Sequence, residues 1–136
     1  MFIKVHKNYA GKSNDLGTPY LLNVNDIQQI SPSFSGSMIR YRGRLFHAVE
    51  SYDTLFAKLS SVNKNFIEVH DWITTDETGR HTPVLINAED IVSLRLGEND
   101  SPVALTFIDE MGELTLHVAE SYMYMVDMLT AVIGII

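Results

Sequence analysis

The segment TPYLLNVNDI at residues 18–27 recurs as TPVLINAEDI at residues 82–91, 64 positions further along the chain. A shorter segment, FIKVH at residues 2–6, recurs with the same spacing as FIEVH at residues 66–70. Matching segments at one fixed spacing are the sequence signature of an internal repeat. These two pairs therefore indicate that the chain forms the same structure twice.

A third pair extends the repeat towards its carboxyl end. HAVESY at residues 47–52 returns as HVAESY at residues 117–122, at the slightly larger spacing of 70 residues. Each copy runs directly into an apolar-periodic segment. We therefore predict two modules, residues 1–63 and residues 64–136, that pack together as one compact unit.

Each module is expected to contain several strands and then a helix. In FIKVH the apolar Ile3 and Val5 alternate with other residues, which is typical of a strand with one buried face. Later alternating segments surround Gly43 and Gly112, as in hairpins. The sequence predicts an α+β fold of two tandem repeats, each a small antiparallel sheet or partly open barrel of about five strands followed by one C-terminal helix.

Polar residues that recur after the second strand of each module are expected to hold a turn. Asn23 and Asp26 occupy this place in the first copy, and Asn87 and Asp90 occupy it in the second. Asn and Asp side chains readily bind the backbone a few residues ahead. We therefore interpret these four residues as structural.

The helices are expected to begin at Ser51 and Ser121. A serine oxygen at this place accepts a hydrogen bond from a free backbone N–H of the first turn. Glu50 and Glu120 come just before the serines, where a negative charge suits the helix N-terminus. We interpret both glutamates as supporting the helix start rather than as general acids or bases.

The second helix is expected to form an interface. Both helices carry an apolar stripe, made by Tyr52, Leu55, Phe56 and Leu59 and by Tyr122, Met125, Val126 and Leu129. The second helix is also apolar on its other sides, and such a helix is buried on more than one side. We predict a homo-oligomer formed through the C-terminal helix, with the interface residues Met123, Tyr124, Met128, Val132, Ile133, Ile135 and Ile136.

The composition of the chain narrows the classes of function. A net charge of −7 and a pI near 5.0 lack the basic footprint of a nucleic-acid binder, so no nucleic acid is expected as a partner. The absence of cysteine excludes disulfides, thiolate nucleophiles and thiolate metal sites. No apolar run is long enough to span a membrane, so we expect a cytoplasmic protein without a membrane partner.

The order of these segments resembles the FlbD/SwrD-type small proteins, which are associated with flagellar regulation or motor function. The shared pattern is a short I-x-V strand, L-x-N-x-x-x-I, a hairpin with a glycine turn, and V-x-E-S leading into a short helix. In the first module it falls on Ile3, Val5, Leu21, Asn23, Ile27, Ile30, Gly43, Val49, Glu50 and Ser51. In the second it falls on Ile67, Val69, Leu85, Asn87, Ile91, Leu94, Gly112, Glu120 and Ser121, with Ala119 in place of the valine.

The resemblance covers nearly the whole chain, twice, whereas the family is typically one module long. It implies a small β-rich module ending in a helix, and it is shared with many short proteins of bacteria and phages. It brings no catalytic residue that could be carried over to this chain. The chain also departs from the family in its longer first loops.

The two predicted hairpins carry opposite charges at their tips. The first is bracketed by three arginines, Arg40, Arg42 and Arg44, whereas the second carries Asp109, Glu110 and Glu113. Guanidinium groups suit phosphates and carboxylates. The simplest interpretation is a solvated hairpin. Two functional interpretations stand beside it: either the tips pair between modules or subunits, or the first tip binds an anionic ligand.

Two further kinds of residue are candidates for ligand binding. Trp72 is the single tryptophan and has no aromatic counterpart in the first module, so we expect it either to stack on a ligand or partner or to cover the edge of the core. His47 and His117 recur at the end of the last strand. Together with nearby carboxylates they would be the start of a histidine-based site, although the helical H-E-x-x-H pattern of zinc enzymes is absent.

Three hypotheses about function follow. The first is a non-enzymatic interaction or regulatory protein, phage- or bacterium-encoded, that is oligomeric and binds a macromolecular partner. The alternative is a small-molecule binder that sequesters an anionic nucleotide-type ligand through Arg40, Arg42, Arg44 and Trp72. A second alternative is a metal or catalytic site built from the paired histidines. No cofactor is expected, and neither catalytic residues nor metal ligands are assigned.

Overall fold

A computed structural model of the chain describes residues 1–8, 17–97 and 100–136. It confirms the α+β class. In the described residues, the first strands and helix are β1 (Phe2–His6), β2 (Pro19–Asn23), β3 (Ile27–Ser33), β4 (Gly36–Tyr41), β5 (Arg44–Ala48) and α1 (Tyr52–Val62). They are followed by β6 (Phe66–Thr75), β7 (His81–Asn87), β8 (Ile91–Leu96), β9 (Val103–Asp109), β10 (Gly112–Val118) and α2 (Tyr122–Val132).

The strands form one large and one small antiparallel sheet. Eight strands lie in the order β5-β4-β3-β7-β6-β10-β9-β8, and β1 and β2 form a two-stranded sheet. An isolated bridge between Lys7 and Ala48 connects the end of β1 with the end of β5. The pairing of β3 with β7 joins strands from the two sides of residue 63, with Gln29 opposite Ile86 and Ile30 opposite Leu85.

An asparagine sets each turn that precedes β3 and β8, as predicted. A single 3-10 turn covers Val24–Asp26, and another covers Ala88–Asp90. The Asn23 side chain accepts a hydrogen bond of 3.0 Å from the backbone N–H of Asn25. In the second turn, Asn87 accepts one of 3.1 Å from the N–H of Glu89. This local bond lets the chain change direction while its backbone N–H keeps a partner.

Serines begin both helices, as predicted. The Ser51 Oγ accepts a hydrogen bond from the N–H of Thr54, and the Ser121 Oγ accepts one from the N–H of Tyr124, each at 3.2 Å. No helix in the described ranges is long and apolar enough to cross a membrane.

One part of the predicted second stripe is wrong. Met125 and Leu129 are buried, but Tyr122 is 41% exposed, whereas Tyr52 at the matching place of α1 is 7% exposed. The difference arises because Tyr52 lies against β6, where its hydroxyl donates a hydrogen bond of 2.9 Å to Glu68 Oε2. Tyr122 therefore belongs to the outer surface of α2 rather than to its buried stripe.

Two apolar cores lie under the helices. The first contains α1 and residues of β1 to β5, together with two side chains from beyond residue 63, Phe66 and Leu85. The second contains α2 and residues of β6, β7, β9 and β10. The first core is thus completed by side chains that follow it in sequence.

We predict that Leu85→Ala lowers the free energy of unfolding by about 2–5 kcal/mol, because Leu85 is completely buried and its loss leaves a cavity in the first core. The matched control is Leu45→Ala on β5, where the leucine is 52% exposed and the expected change is within about 0.5 kcal/mol. Urea unfolding followed by the fluorescence of Trp72 measures both. Equal losses in the two variants would contradict the described position of β7.

Candidate functional site

The oppositely charged hairpin tips lie against each other within one chain. Arg40 Nη1 is 3.3 Å from Asp109 Oδ2, and Arg42 Nε is 3.6 Å from Glu110 Oε1 and 4.0 Å from Asp26 Oδ1. The Asp109 side chain is only 4% exposed, so its charge is held in a largely desolvated place beside Arg40. Of the two interpretations of these charges, the structure shows pairing between the tips, and Arg40 and Arg42 already have carboxylate partners.

A glycine allows the tips to come this close. Arg42 and Gly43 form the first hairpin turn with positive φ angles of 47° and 77°. A Cβ atom at Gly43 would lie 3.3 Å from Asp109 Cγ and from Met111 Cγ. A side chain at this position would require these neighbours to shift by a few tenths of an ångström, in addition to the strain of the positive φ angle. Arg44, the third candidate arginine, is exposed at the start of β5 opposite Tyr41.

Acidic groups gather behind the paired tips. Burial, and then the nearby charges of Glu89 and Asp26, raise the pKa of Asp90 to about 6. The Asp90 Oδ2 atom is buried without a hydrogen-bond partner among the described residues. Asp26 and Asp90 line one small hollow, so the two 3-10 turns lie near each other in the fold.

Each half of the chain contains the same contact between a glutamate and a histidine. The backbone N–H of His6 donates to Glu50 Oε1 at 2.7 Å, and the His6 ring Nδ1 is 2.8 Å from Glu50 Oε2. The backbone N–H of His70 donates to Glu120 Oε1 at 2.8 Å, and its ring Nδ1 is 2.7 Å from Glu120 Oε2. We call these contacts the Glu–His clamps. Each one ties a strand, at His6 of β1 or His70 of β6, to the residue before a helix cap.

The clamps give the two glutamates a different role from the predicted one. Rather than acting on the helix N-terminus, each carboxylate binds a histidine with both of its oxygens. Burial alone would raise the pKa of Glu50. The hydrogen bonds from the His6 side chain and backbone lower the pKa by more than burial raises it, so the pKa of Glu50 lies below 4.5. The ring of each histidine is thereby oriented, with Nδ1 towards the carboxylate.

The candidate histidines His47 and His117 have different surroundings. His47 is exposed on β5 opposite Met38. The ring Nδ1 of His117, on β10, lies 3.2 Å from the Oγ of Ser101. In the ranges that the structure describes, no group of three or more His, Cys, Asp or Glu residues is placed to hold a metal ion.

Trp72 lies beside a hollow that the sequence did not reveal. Its ring stacks on His81 with the centroids 4.8 Å apart and the planes at 22°. His81, His70 and Arg80 line a hollow of about 420 Å³. The Nδ1 atom of His81 is buried and has no hydrogen-bond partner within the described part of the chain. The acidic residues Asp76 and Glu120 also line this hollow, and Glu120 contacts the Nδ1 atom of His70.

The predicted interface residues of the C-terminal helix divide into two groups. Five are exposed apolar side chains: Met123, Tyr124, Ile133, Ile135 and Ile136. The other two, Met128 and Val132, are partly buried against the second core. The exposed group leaves an apolar surface on α2 and the residues after it, with Asp127 as the acidic residue of the helix.

Comparisons of this chain with models of protein families, with curated proteins and with solved structures found no match. We therefore infer function from the contacts and surfaces described above. The resemblance to FlbD/SwrD-type proteins stays a prediction.

We predict that Glu50→Gln lowers the free energy of unfolding at pH 7 by about 1–3 kcal/mol, because a charged hydrogen bond to His6 is lost. Since the pKa of Glu50 in the folded state lies below its ordinary value of 4.5, its stabilisation is present above pH 4.5 and is lost as the pH falls through the folded pKa. The difference between wild type and variant should therefore shrink in acid, as measured by urea unfolding at several pH values.

The matched control for this experiment is Glu77→Gln, because Glu77 lies exposed in the turn between β6 and β7. It should leave the free energy of unfolding nearly unchanged at every pH. A constant loss of stability in Glu50→Gln from pH 7 to pH 3 would mean that its charge does not act through the clamp.

Proposed function

We propose that this protein is a non-enzymatic interaction protein that self-associates through its C-terminal helix and binds a macromolecular partner. The observation that carries the proposal is the exposed apolar surface of Met123, Tyr124, Ile133, Ile135 and Ile136. Several exposed apolar side chains on one helix and the residues after it favour an interface, since exposing them to water is unfavourable.

We also propose that the chain is a tandem duplication of a module similar to the FlbD/SwrD type, with modules at residues 1–63 and 64–136. This is supported by contacts that occur at matching places in both halves. They are the asparagine-capped turns, the serine-capped helices and the Glu–His clamps. A coincidence of three such contacts is not expected from two unrelated halves.

The polar contacts support a binding role rather than catalysis. The best-placed ionisable groups bind each other: Arg40 binds Asp109, His6 binds Glu50, and His70 binds Glu120. Such pairs hold the fold together, and their acceptors and donors are already used. The cytoplasmic location expected from the composition agrees with a protein that works by binding other proteins.

A second candidate function is the sequestration of an anionic nucleotide-type ligand. The hollow beside Trp72 favours it, because its volume of about 420 Å³ is in the range of small-molecule pockets. A guanidinium and imidazole nitrogens are suitable partners for a phosphate. The residues involved would be Arg80 and His81, rather than Arg40, Arg42 and His70, which already contact carboxylates.

We predict that light scattering will show an oligomer for the wild type and a smaller particle for a Met123→Glu/Tyr124→Glu double variant. Two charges in the apolar surface of α2 would have to be desolvated for association. The control is Ile73→Glu, since Ile73 is 71% exposed on β6. It should keep the mass of the wild type and also keep any captured partner that the double variant loses. A monomeric wild type at high concentration would contradict this proposal.

For the second candidate function, we predict that a nucleotide raises the melting temperature of the wild type, because a ligand that binds only the folded state stabilises it. Thermal-shift measurements with linear and cyclic nucleotides test this. Arg80→Ala should abolish the shift, and Arg44→Ala, at an exposed arginine outside the hollow, should not. The absence of a shift for any nucleotide would remove this candidate.

A further inference from the structure

Apolar side chains on β1 and β2, at one end of the series of strands, are more exposed than their counterparts on β6 and β7. Phe66 and Leu85 enter the first core, where they are 6% and 0% exposed. Their counterparts 64 positions earlier are Phe2 on β1 and Leu21 on β2. Phe2 is 62% and Leu21 is 67% exposed. The same two apolar side chains thus complete a core in one half and stand in solvent in the other.

The surface that would receive these side chains is also open. Tyr52 and Gln28, which lie near the joint between β3 and β7, are buried, but their counterparts Tyr122 and Val92 are exposed. On β8, Leu94 is only partly buried against the second core. The second core therefore lacks on one side the cover that β6 and β7 give to the first.

The strand edges are open at the same two places. Within the described residues, β2 pairs with β1 alone and β8 pairs with β9 alone. Their counterparts β7 and β3 pair with each other. An open edge presents unpaired backbone donors and acceptors that can pair with another strand. Within one chain, β3 therefore pairs with β7, whereas the equivalent edges of β8 and β2 do not pair with each other.

We propose that the β1–β2 sheet of one copy of this chain docks on β8 and α2 of a second copy, and so repeats the joint between β3 and β7. This inference rests on the proposed duplication and self-association, and it names the surfaces and the register. Transferring the β3–β7 register places Leu21 of one copy opposite Leu94 of the other, and Leu22 opposite Ser93. Phe2 and Leu21 then cover the second core.

We take the occupant to be a second copy because the pairing of β3 with β7 within the chain serves as a template for it. The made joint shows which side chains fit under a strand of this type and in which register they do so. Charge agrees with this arrangement at one further place. Lys4 is the counterpart of Glu68, which accepts the hydrogen bond from Tyr52. In the joint between copies, the Lys4 ammonium is placed to donate to the hydroxyl of Tyr122.

The joint is head-to-tail, so the surface of one copy meets a different surface of the next. Such contacts produce a closed ring if the rotation closes, and an open filament if it does not.

Cysteine cross-linking tests the register, because the natural chain has no cysteine. Full-length Leu21→Cys and Leu94→Cys proteins are purified separately, mixed and oxidised mildly. Directly opposed residues of antiparallel strands lie within reach of a disulfide. The mixture should give a covalent dimer that contains one copy of each variant. Leu21→Cys mixed with Ile73→Cys, an exposed position outside the joint, should give none.

Light scattering of Leu21→Arg gives a second readout that does not need a disulfide. The proposal requires both the specific cross-link and a lower mass for Leu21→Arg than for the wild type. The absence of either, or a Leu21→Cys/Leu94→Cys double variant that cross-links within one chain, overturns it. A wild type that is oligomeric but loses mass only in Met123→Glu/Tyr124→Glu would overturn this inference and leave the proposed function standing. A monomeric wild type would overturn both.

Discussion

The pairing of β3 with β7 is the constraint on which the rest of the structure depends. It joins strands from the two sides of residue 63 into one sheet and brings Phe66 and Leu85 into the first core. Burying two such side chains contributes roughly 3–6 kcal/mol, which is a large part of the stability of a typical small domain. Because β3 and β7 use their edges to pair with each other, β2 and β8 are left as the strands with open edges at the ends of the series.

The Glu–His clamps and the paired hairpin tips act within this frame. Each clamp fixes a strand relative to a helix start, so that each helix lies over its own core. The contact of Arg40 with Asp109 holds the β4–β5 hairpin against the β9–β10 hairpin. These contacts use the most conspicuous ionisable residues of the chain for structure. The surfaces that remain for function are apolar, on α2, β1 and β2, together with the hollow next to Trp72.

Local features could be predicted from the sequence, whereas long-range pairing could not. The strands, the asparagine turns and the serine caps follow from patterns within a few residues, and the α+β class follows from them. The clamps join residues 44 and 50 positions apart, and no local pattern reports such a contact, although the recurrence of both His and Glu was a usable signal. The exposure of Tyr122 was missed because periodicity cannot tell whether a neighbouring strand covers a helix.

We propose that one chain contains one formed pairing, between β3 and β7, and two open edges, on β2 and β8, that form the equivalent pairing between copies. Hydrogen exchange of the strand amides, measured at low and high protein concentration, tests it most directly. We expect the amides of β3 and β7 to be protected at both concentrations, because the pairing of these strands lies within the chain. The amides of β2 and β8 that face away from β1 and β9 should gain protection only as the concentration rises, whereas those that pair with β1 and β9 are protected at both. Equal protection of the outward-facing amides at every concentration would contradict the pairing between copies, and rapid exchange throughout β7 would contradict the pairing of β3 with β7.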